Sequence, residues 1–258
     1  MLTTNKYYIA TLTILLKEVI RFKRIWLQTI IPPVITTSLY FIIFGNLIGS
    51  RIGTMSGVRY IQYIVPGLVM MSVIQNSYAN VSASFFSAKF QKSIEEMLVA
   101  PIPNSLIILG YISGGIARGT IVGFLVLLTA LCFTYMPIRH PGIMLLMTLL
   151  SASLFSLAGF LNGIYAKKFD DISVIPTFVL TPLTYLGGVF YSINALPPFW
   201  RNFSLANPIV HIVDTFRYGM LGITDINIAH AIIITFSFTI LLFIVCLYLL
   251  NRGIARST

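Results

Sequence analysis

Residues 230–250 read HAIIITFSFTILLFIVCLYLL and contain no Asp, Glu, Lys or Arg. A helix of about 20 apolar residues crosses the hydrocarbon core of a bilayer, so this run is long enough to span a membrane. Five further apolar runs have a comparable length and cover residues 25–48, 61–85, 105–133, 141–166 and 172–191. The pattern predicts an all-α polytopic membrane protein with six transmembrane helices, forming one transmembrane domain over residues 1–258.

The composition agrees with this fold class. Hydrophobic residues make up 57% of the chain and charged residues 9%, whereas a soluble domain carries about 25% charged residues. This excludes an ordinary globular enzyme. The net charge is +10, but no basic stripe is interleaved with aromatic residues, so nucleic-acid binding is not expected. Cys132 and Cys246 both lie inside apolar runs, and neither a disulfide framework nor a metal site is predicted.

The positive charges indicate how the chain is oriented. Most of them fall on one side of the predicted spans: Lys6, Lys17, Arg21, Lys23, Arg24, Lys89, Lys92, Lys167, Lys168, Arg252 and Arg256. Fewer fall on the other side: Arg51, Arg59, Arg139, Arg201 and Arg217. Because loops rich in Lys and Arg stay in the cytoplasm, both termini are predicted to be cytoplasmic.

Residues 5–24 form a separate amphipathic element before the first span. Apolar residues recur in it at helical spacing, namely Ile9, Leu12, Leu16, Val19 and Ile20. Lys17, Arg21 and Arg24 also recur at helical spacing. This pattern favours a helix lying in the cytoplasmic membrane interface, in contact with lipid. The alternative is a plain N-terminal extension of the first span, which would carry its charges into the membrane.

Residues 192–229 form an exofacial segment that is longer than a simple turn. It contains Pro197, Trp200 and Pro208, and Trp is typical of a membrane interface. The preceding run holds the breaker-rich patch 181–188, TPLTYLGG. Non-helical backbone at membrane depth survives only within protein or beside water. We therefore expect the fifth run to bend or break, and residues 197–222 to form short re-entrant helices in the outer leaflet.

A polar break over residues 86–103 separates the second and third spans. Ser93 and Glu96 have the spacing of a capping box at a helix start, and Pro101 and Pro103 end the helix. Four apolar residues share one face of this helix: Ile94, Met97, Leu98 and Pro101. Together with Glu95 they predict a short amphipathic helix on the cytoplasmic side. It is either a connector resting on the membrane or a docking helix for a cytoplasmic partner.

Arg118 stands near the middle of the third span, about 20 Å along it at 1.5 Å per residue. It lies among G-x-x-x-G pairs, which permit close helix approach, formed by Gly110, Gly114, Gly115, Gly119 and Gly123. One hypothesis places Arg118 on a translocation path or dimer interface, together with Asn76 and Asn80 of the second span. The alternative is a structural arginine bonded to backbone carbonyls, Asn76, Asn80 or Asn162.

The C-terminal part of the chain resembles the signature of ABC-2 family permeases, the membrane subunits of ATP-binding-cassette exporters. The matching positions are Leu180, Leu183, Leu186-Gly187, Val189, Leu196-Pro197, Pro208-Ile209-Val210-His211 and Arg217. Residues 93–101, SIEEMLVAP, also resemble the stretch between the family's second and third spans. The chain is most similar to small bacterial permeases grouped with capsule-polysaccharide and nodulation-factor exporters.

The resemblance implies a role for each motif. The helix with Ser93, Ile94, Glu95, Glu96, Met97, Leu98 and Pro101 becomes an ATPase-coupling helix. The exofacial positions Gly187, Pro197, Pro208, His211 and Arg217 take structural or gating roles. A six-span permease of this kind implies a homodimer with two ATPase subunits in a bacterial inner membrane. The cargo would be amphipathic, lipid-linked, a polysaccharide or drug-like.

The chain lacks a nucleotide site of its own. A Walker A loop needs Gly-Lys before Ser or Thr, and the one Lys followed by Ser or Thr is Lys92, which Gln91 precedes. ATP and Mg would therefore be bound by a separate subunit. The alternative function is a secondary transporter or channel without an ATPase, but no acidic residue lies well inside a span to couple protons. The motifs H-E-x-x-H and G-x-S-x-G are absent, so an enzyme is not expected.

Overall fold

The computed structural model describes residues 2–99 and 102–253, and Pro101, predicted to lie on the coupling helix, falls outside them. The described chain is almost entirely helical. Its α-helices are α1 (Leu2–Arg24), α2 (Trp26–Tyr40), α3 (Gly49–Ile52), α4 (Tyr60–Phe90), α5 (Ser93–Val99), α6 (Asn104–Leu131), α7 (Pro141–Tyr165), α8 (Phe169–Ile175), α9 (Thr181–Tyr185), α10 (Pro198–Leu205), α11 (Pro208–Leu221) and α12 (Ile228–Asn251). A two-residue hairpin pairs β1 (Thr54–Met55) with β2 (Val58–Arg59).

Within the described residues, four helices are long and apolar enough to cross a membrane. They are Trp26–Ile52, α6, α7 and α12. The first runs through α2 and α3, joined by the π-helical stretch Phe41–Ile48. The helix α4 has 31 residues and is longer still, but polar residues such as Gln75 and Asn76 make it less apolar than these four. A polytopic membrane protein is confirmed in this coarse form, without the count of six.

The fifth predicted span is a continuous helical stretch over residues 169–185, which contains a π-helical turn and ends before the predicted limit at residue 191. It consists of α8, the π-helical stretch Pro176–Leu180 and α9. The chain leaves the helix after Tyr185, and Gly188 takes φ +70°, a backbone conformation that favours glycine. The short helices α10 and α11 follow, each with a proline at its first position. Proline is suited to this position because the first N–H of a helix has no intrahelical partner.

The core of the bundle is built around α4, which packs against α6 and α7 along its length. Met70, Ile74 and Phe85 of α4 are fully buried. The helix α11 packs against α4, α7 and α12 at one end, and α5 follows α4 at the other. We refer to these as the α11 end and the α5 end of the bundle. The two ends carry the features that bear on function.

Glycines of α6 allow other helices to approach closely, as the G-x-x-x-G pairs predicted. A Cβ atom placed on Gly110 would lie 2.6 Å from Cγ2 of Ile14, and one on Gly114 would lie 2.6 Å from Cβ of Glu18. Both contacts are with α1. Gly119 and Gly123 face α4 in the same way. The helix α1 is therefore fitted onto α6 and is more than an extension of the first span.

Replacing Gly114 by leucine should detach α1 from the bundle. The new side chain overlaps Glu18, and overpacking of this kind costs about 1–3 kcal/mol. We expect faster proteolysis within residues 2–24 of the detergent-solubilised variant, measured by limited digestion and mass spectrometry. Gly142→Leu is the matched control, because a Cβ atom placed on Gly142 would have no neighbour within 4 Å. Equal digestion of the two variants would contradict the close α1–α6 contact.

Candidate functional site

The helix α1 is anchored to the bundle through a buried carboxylate. Glu18 is 1% exposed. It accepts hydrogen bonds from Ser84 Oγ, from Asn80 Nδ2 at 3.3 Å and from Arg21 Nη2 at 2.9 Å. The same Arg21 nitrogen also donates to Asn80 Oδ1 at 2.7 Å. These hydrogen bonds replace those that the carboxylate would make with water, and they connect α1 to α4.

The two faces of α1 have different surroundings. Its predicted apolar residues are exposed, at 40–59% of their surface, which suits contact with lipid: Ile9, Leu12, Leu16, Val19 and Ile20. Ile14 and Glu18 on the other face are buried against the bundle. Sequence reasoning missed this second face. The signal available was Glu18, the acidic residue of the segment. It follows Ile14 by four residues, which is also the spacing of Gly110 and Gly114 on α6.

The predicted coupling helix α5 is fixed to the bundle by its apolar side. Ile94 is 1% exposed, and Met97 and Leu98 are half-buried against the same apolar cluster of α4, α6 and α7. Glu95 and Glu96 are exposed. The apolar face is thus already occupied within the chain. What α5 presents outward is a pair of carboxylates beside Val99, which is 80% exposed.

The start of α5 differs from the predicted capping box. Lys92 takes φ +58° and turns the chain between α4 and α5. Ser93 is then the first residue of the helix, and its hydroxyl donates to Ala88 O at 3.2 Å. Because Ser93 is at N1 and not at the N-cap, its hydroxyl is not in the capping position for the N–H of Glu96. The helix therefore begins at a tight turn held by α4.

Lys89 supports the same end of the bundle in a way that its sequence position did not suggest. Its Nζ donates to Ile164 O at 2.7 Å and to Ala166 O at 3.1 Å. These are carbonyls at the C-terminus of α7, where a cation is favoured. At the start of α8, Asp171 Oδ2 accepts from the N–H groups of Lys167 and Lys168.

A polar stripe runs along α4 and meets Arg118. It consists of residues at four-residue spacing: Ser72, Asn76, Asn80 and Ser84. Arg118 Nη2 lies 3.4 Å from Asn76 Oδ1, a long contact for a charged donor. Among the described residues its buried Nε–H has no acceptor. Asn162 instead donates to Ile172 O at 3.0 Å, and Asn80 is engaged by α1.

A cavity of about 170 Å³ adjoins this stripe between α2 and α4. Its walls include Ser72, Gln75 and Asn76 of α4 and Thr36 and Thr37 of α2. We call it the α2–α4 cavity. Asn76, which contacts Arg118, therefore borders a space that a polar group could enter. Asn76 and Asn80 thus share one face of α4, and Arg118 of α6 contacts this face at Asn76.

At the α11 end, Arg217 is the centre of a buried network. It is 2% exposed. Its Nη2 donates to Gly188 O at 2.6 Å, its Nε lies 3.4 Å from Tyr63 O, and its Nη1 lies 3.4 Å from Asp214 Oδ1. Its Cζ stands 4.0 Å from the ring centroid of Tyr63, close enough for a cation–π interaction. Arg217 therefore joins α4, α11 and the turn after α9.

Two aspartates extend this network to the loop before α12. Asp214 Oδ2 accepts from Thr224 Oγ1 at 2.6 Å and from the N–H groups of Asp225 and Ile226 at 3.0 and 3.1 Å. Asp225 in turn accepts from Ser192 Oγ at 2.6 Å. The sequence did not single out Asp225. Together these bonds connect the parts of residues 186–227, from the turn after α9 through α11 to the loop before α12.

The other predicted residues of the exofacial segment pack against neighbouring parts of the chain, hydrogen-bond with them or begin a helix. A Cβ atom on Gly187 would lie 2.6 Å from Ile209 Cγ2, so glycine is required for α11 to pack there. Pro197 precedes α10, and its carbonyl accepts from Arg201 N at 2.9 Å. Pro208 opens α11. His211 Nε2 lies 2.9 Å from Leu205 O. No group of three metal-ligating side chains occurs in the described part of the chain.

Comparison with known proteins identifies the chain. The sequence profile of the family described as ABC-2 type transporter matches residues 9–221, a range that includes α5, Arg118 and Arg217. The chain belongs to the ABC-2 type transporter family. This assigns the chain to a family of membrane transport permeases.

Named relatives of this ABC-2 permease cover nearly its whole length. The chain is 57% identical over 249 residues to the inner membrane transport permease YadH of Escherichia coli (strain K12), covering 96% of each chain. It is 21% identical over 241 residues to nodulation protein J of Rhizobium leguminosarum bv. viciae, covering 93% of each. Nodulation protein J of Rhizobium meliloti (strain 1021) is 22% identical over 207 residues. The predicted family is confirmed.

Proposed function

We propose that this ABC-2 permease is the membrane subunit of an exporter whose ATPase is a separate polypeptide. The observation that carries this proposal is the geometry of α5. Ile94 holds the helix on the bundle while Glu95 and Glu96 stay exposed beside Val99. A helix fixed in this way presents a rigid acidic edge to a partner, and charged edges of this kind set partner choice and orientation. ATP and Mg would be bound by that partner.

The membrane arrangement forms part of the proposal. Six crossings are formed by Trp26–Ile52, α4, α6, α7, the segment α8–α9 and α12. Both termini and α5 lie in the cytoplasm of a bacterium, the α11 end faces outward across the inner membrane, and α10 and α11 re-enter the outer leaflet. The whole chain forms one domain. The exposed basic residues near α5 support this orientation.

The working unit would be a homodimer with two ATPase subunits. Each permease contributes the polar stripe of α4, with Arg118 and the α2–α4 cavity, to a path for cargo. Polar side chains in a membrane span are costly and mark substrate paths or helix contacts. The cargo class that suits a path with polar and apolar walls is an amphipathic, lipid-linked, polysaccharide or drug-like compound. The second candidate function is an ATPase-independent secondary transporter or channel.

Affinity purification of the full chain from its native host in mild detergent tests this function. Mass spectrometry then identifies the proteins that accompany it. The expected result is an ATPase with a Walker A motif in stoichiometric amount. A permease dimer alone, across several detergents and after crosslinking, would favour the secondary transporter instead.

Arg118→Gln provides a test of the proposed path. The arginine has one long side-chain contact in the described structure, so its loss removes little internal bonding. We expect unchanged expression and oligomeric state but at least tenfold slower export, because a charge–polar contact with cargo contributes about 1.5–3 kcal/mol. Size-exclusion chromatography measures expression and oligomeric state, and a transport assay measures the rate of export. Loss of the folded protein would assign Arg118 a structural role.

A further inference from the structure

A second, larger cavity lies at the α5 end, between α1 and the end of α4. Its volume is about 600 Å³. One wall is formed by Lys17, Arg21 and Arg24, which lie on one face of α1 at positions i, i+4 and i+7. The opposite wall carries Ser84 and Ser87 of α4 and Gln91 of the turn that follows it. We call it the α1–α4 cavity, and it is separate from the α2–α4 cavity.

The charge of this cavity favours an anion. Three cations line it, and no carboxylate does so among the described residues. Glu18 is buried behind the wall and is engaged by Ser84, Asn80 and Arg21. It offsets part of the charge of Arg21 and leaves Lys17 and Arg24 uncompensated. The Ser87 hydroxyl and the Gln91 amide opposite can donate further hydrogen bonds to an oxyanion.

An unmet donor marks the same place. The Nε–H of Arg21 is buried and has no acceptor within residues 2–99 and 102–253. Buried polar groups in proteins nearly always have a partner. Guanidinium groups bind phosphate through charge-assisted N–H donors. Arg21 lines the cavity, and because Glu18 and Asn80 engage its Nη2, its other N–H groups are left for a phosphate oxygen.

Part of the cavity wall is apolar and open to lipid. Leu16 and Ile20 line it, and they are 48% and 59% exposed. In a membrane-spanning chain such side chains on α1 lie against acyl chains. A ligand that matches both walls has an anionic head and an apolar tail.

We propose that the α1–α4 cavity binds the phosphate headgroup of an anionic phospholipid. Arg21 contacts the phosphate through the N–H groups that Glu18 and Asn80 leave free, while Lys17 and Arg24 supply the surrounding positive charge and Leu16 and Ile20 contact the acyl chains. Ser93, the first residue of α5, also lines the cavity. A bound lipid therefore touches the helix proposed to receive the ATPase. The lipid site itself does not depend on that proposed function.

Native mass spectrometry of the purified full chain tests this site. Phosphatidylglycerol and phosphatidylcholine are added at equal concentration, and the bound copies of each are counted. The test variant is K17Q/R24Q, in which two exposed cavity cations are removed. The matched control is K23Q/K168Q, in which two exposed cations outside the cavity are removed. Inorganic phosphate is titrated in a separate arm.

The wild type should retain phosphatidylglycerol in preference to phosphatidylcholine. K17Q/R24Q should bind phosphatidylglycerol roughly thirtyfold more weakly, from the loss of two basic side chains near an anionic lipid. K23Q/K168Q and the charge-conserving variant K17R/R24K should behave as wild type, which also controls for folding. Equal losses in the two glutamine variants, or none in either, would overturn the proposal. Displacement of the lipid by millimolar phosphate alone would reassign the cavity to a free anion.

Discussion

Replacing Arg217 by alanine is expected to unfold the α11 end of the protein. The substitution leaves Asp214 buried without its cation and the carbonyl of Gly188 without its donor. Breaking a buried charge pair by removing one partner costs about 3–5 kcal/mol. In a protein of this size that corresponds to a fall in Tm of roughly 6 to 20 °C. Thermal unfolding in detergent, followed by tryptophan fluorescence or size-exclusion chromatography, measures the change.

The matched control for this substitution is Arg201→Ala, which removes an exposed arginine from α10. We expect it to leave Tm within about 2 °C of the wild type, since substitutions at exposed positions change stability little. The double variant Arg217→Ala/Asp214→Asn should recover part of the loss, because it no longer buries an uncompensated charge. Equal Tm values for Arg217→Ala and Arg201→Ala would show that the buried network does not stabilise the fold.

Reversing the charge of α5 by Glu95→Lys and Glu96→Lys should detach the ATPase. Both side chains are exposed and the apolar anchor Ile94 is untouched, so the permease should keep its Tm. Like charges placed opposite each other across an interface disfavour binding by several kcal/mol. We therefore expect the recovered amount of copurifying ATPase to fall at least tenfold, with ATP-driven export falling in parallel.

Asp170→Lys is the control for this charge reversal. Asp170 is an exposed carboxylate at the same end of the bundle, on α8. Its reversal should leave most of the ATPase bound. If Glu95→Lys/Glu96→Lys retains wild-type amounts of ATPase and wild-type export, α5 is a connector and the secondary-transporter function gains support.

The sequence was sufficient for features that depend on local pattern. Apolar run length predicts where the long helices lie, because a span must satisfy its own backbone. Gly187 and Gly188 predict the end of the helix within the fifth run, whereas Pro182 is accommodated inside α9. The glycines of α6 predict close helix contacts, but the pattern does not say that α1 would be one of the partners.

Features that depend on tertiary contacts were out of reach. Glu18 could have been a solvated carboxylate, and its burial follows from the meeting of α1, α4 and α6. In the sequence, Lys89 is one of several basic residues between predicted spans. Its two carbonyl acceptors at the end of α7 are known only from the structure. The partners of Arg217 come from three elements distant in sequence. Such partners are set by packing and leave no periodic signal in the chain.

One consequence follows from the length of α4. This single helix of 31 residues measures about 46 Å at 1.5 Å per residue. A two-residue turn joins its last residue to α5, and the backbone carbonyl and ring of Tyr63, near its first residue, hold Arg217. A displacement of α5 would therefore act through one continuous helix on the α11 end of the bundle, where Tyr63 contacts Arg217.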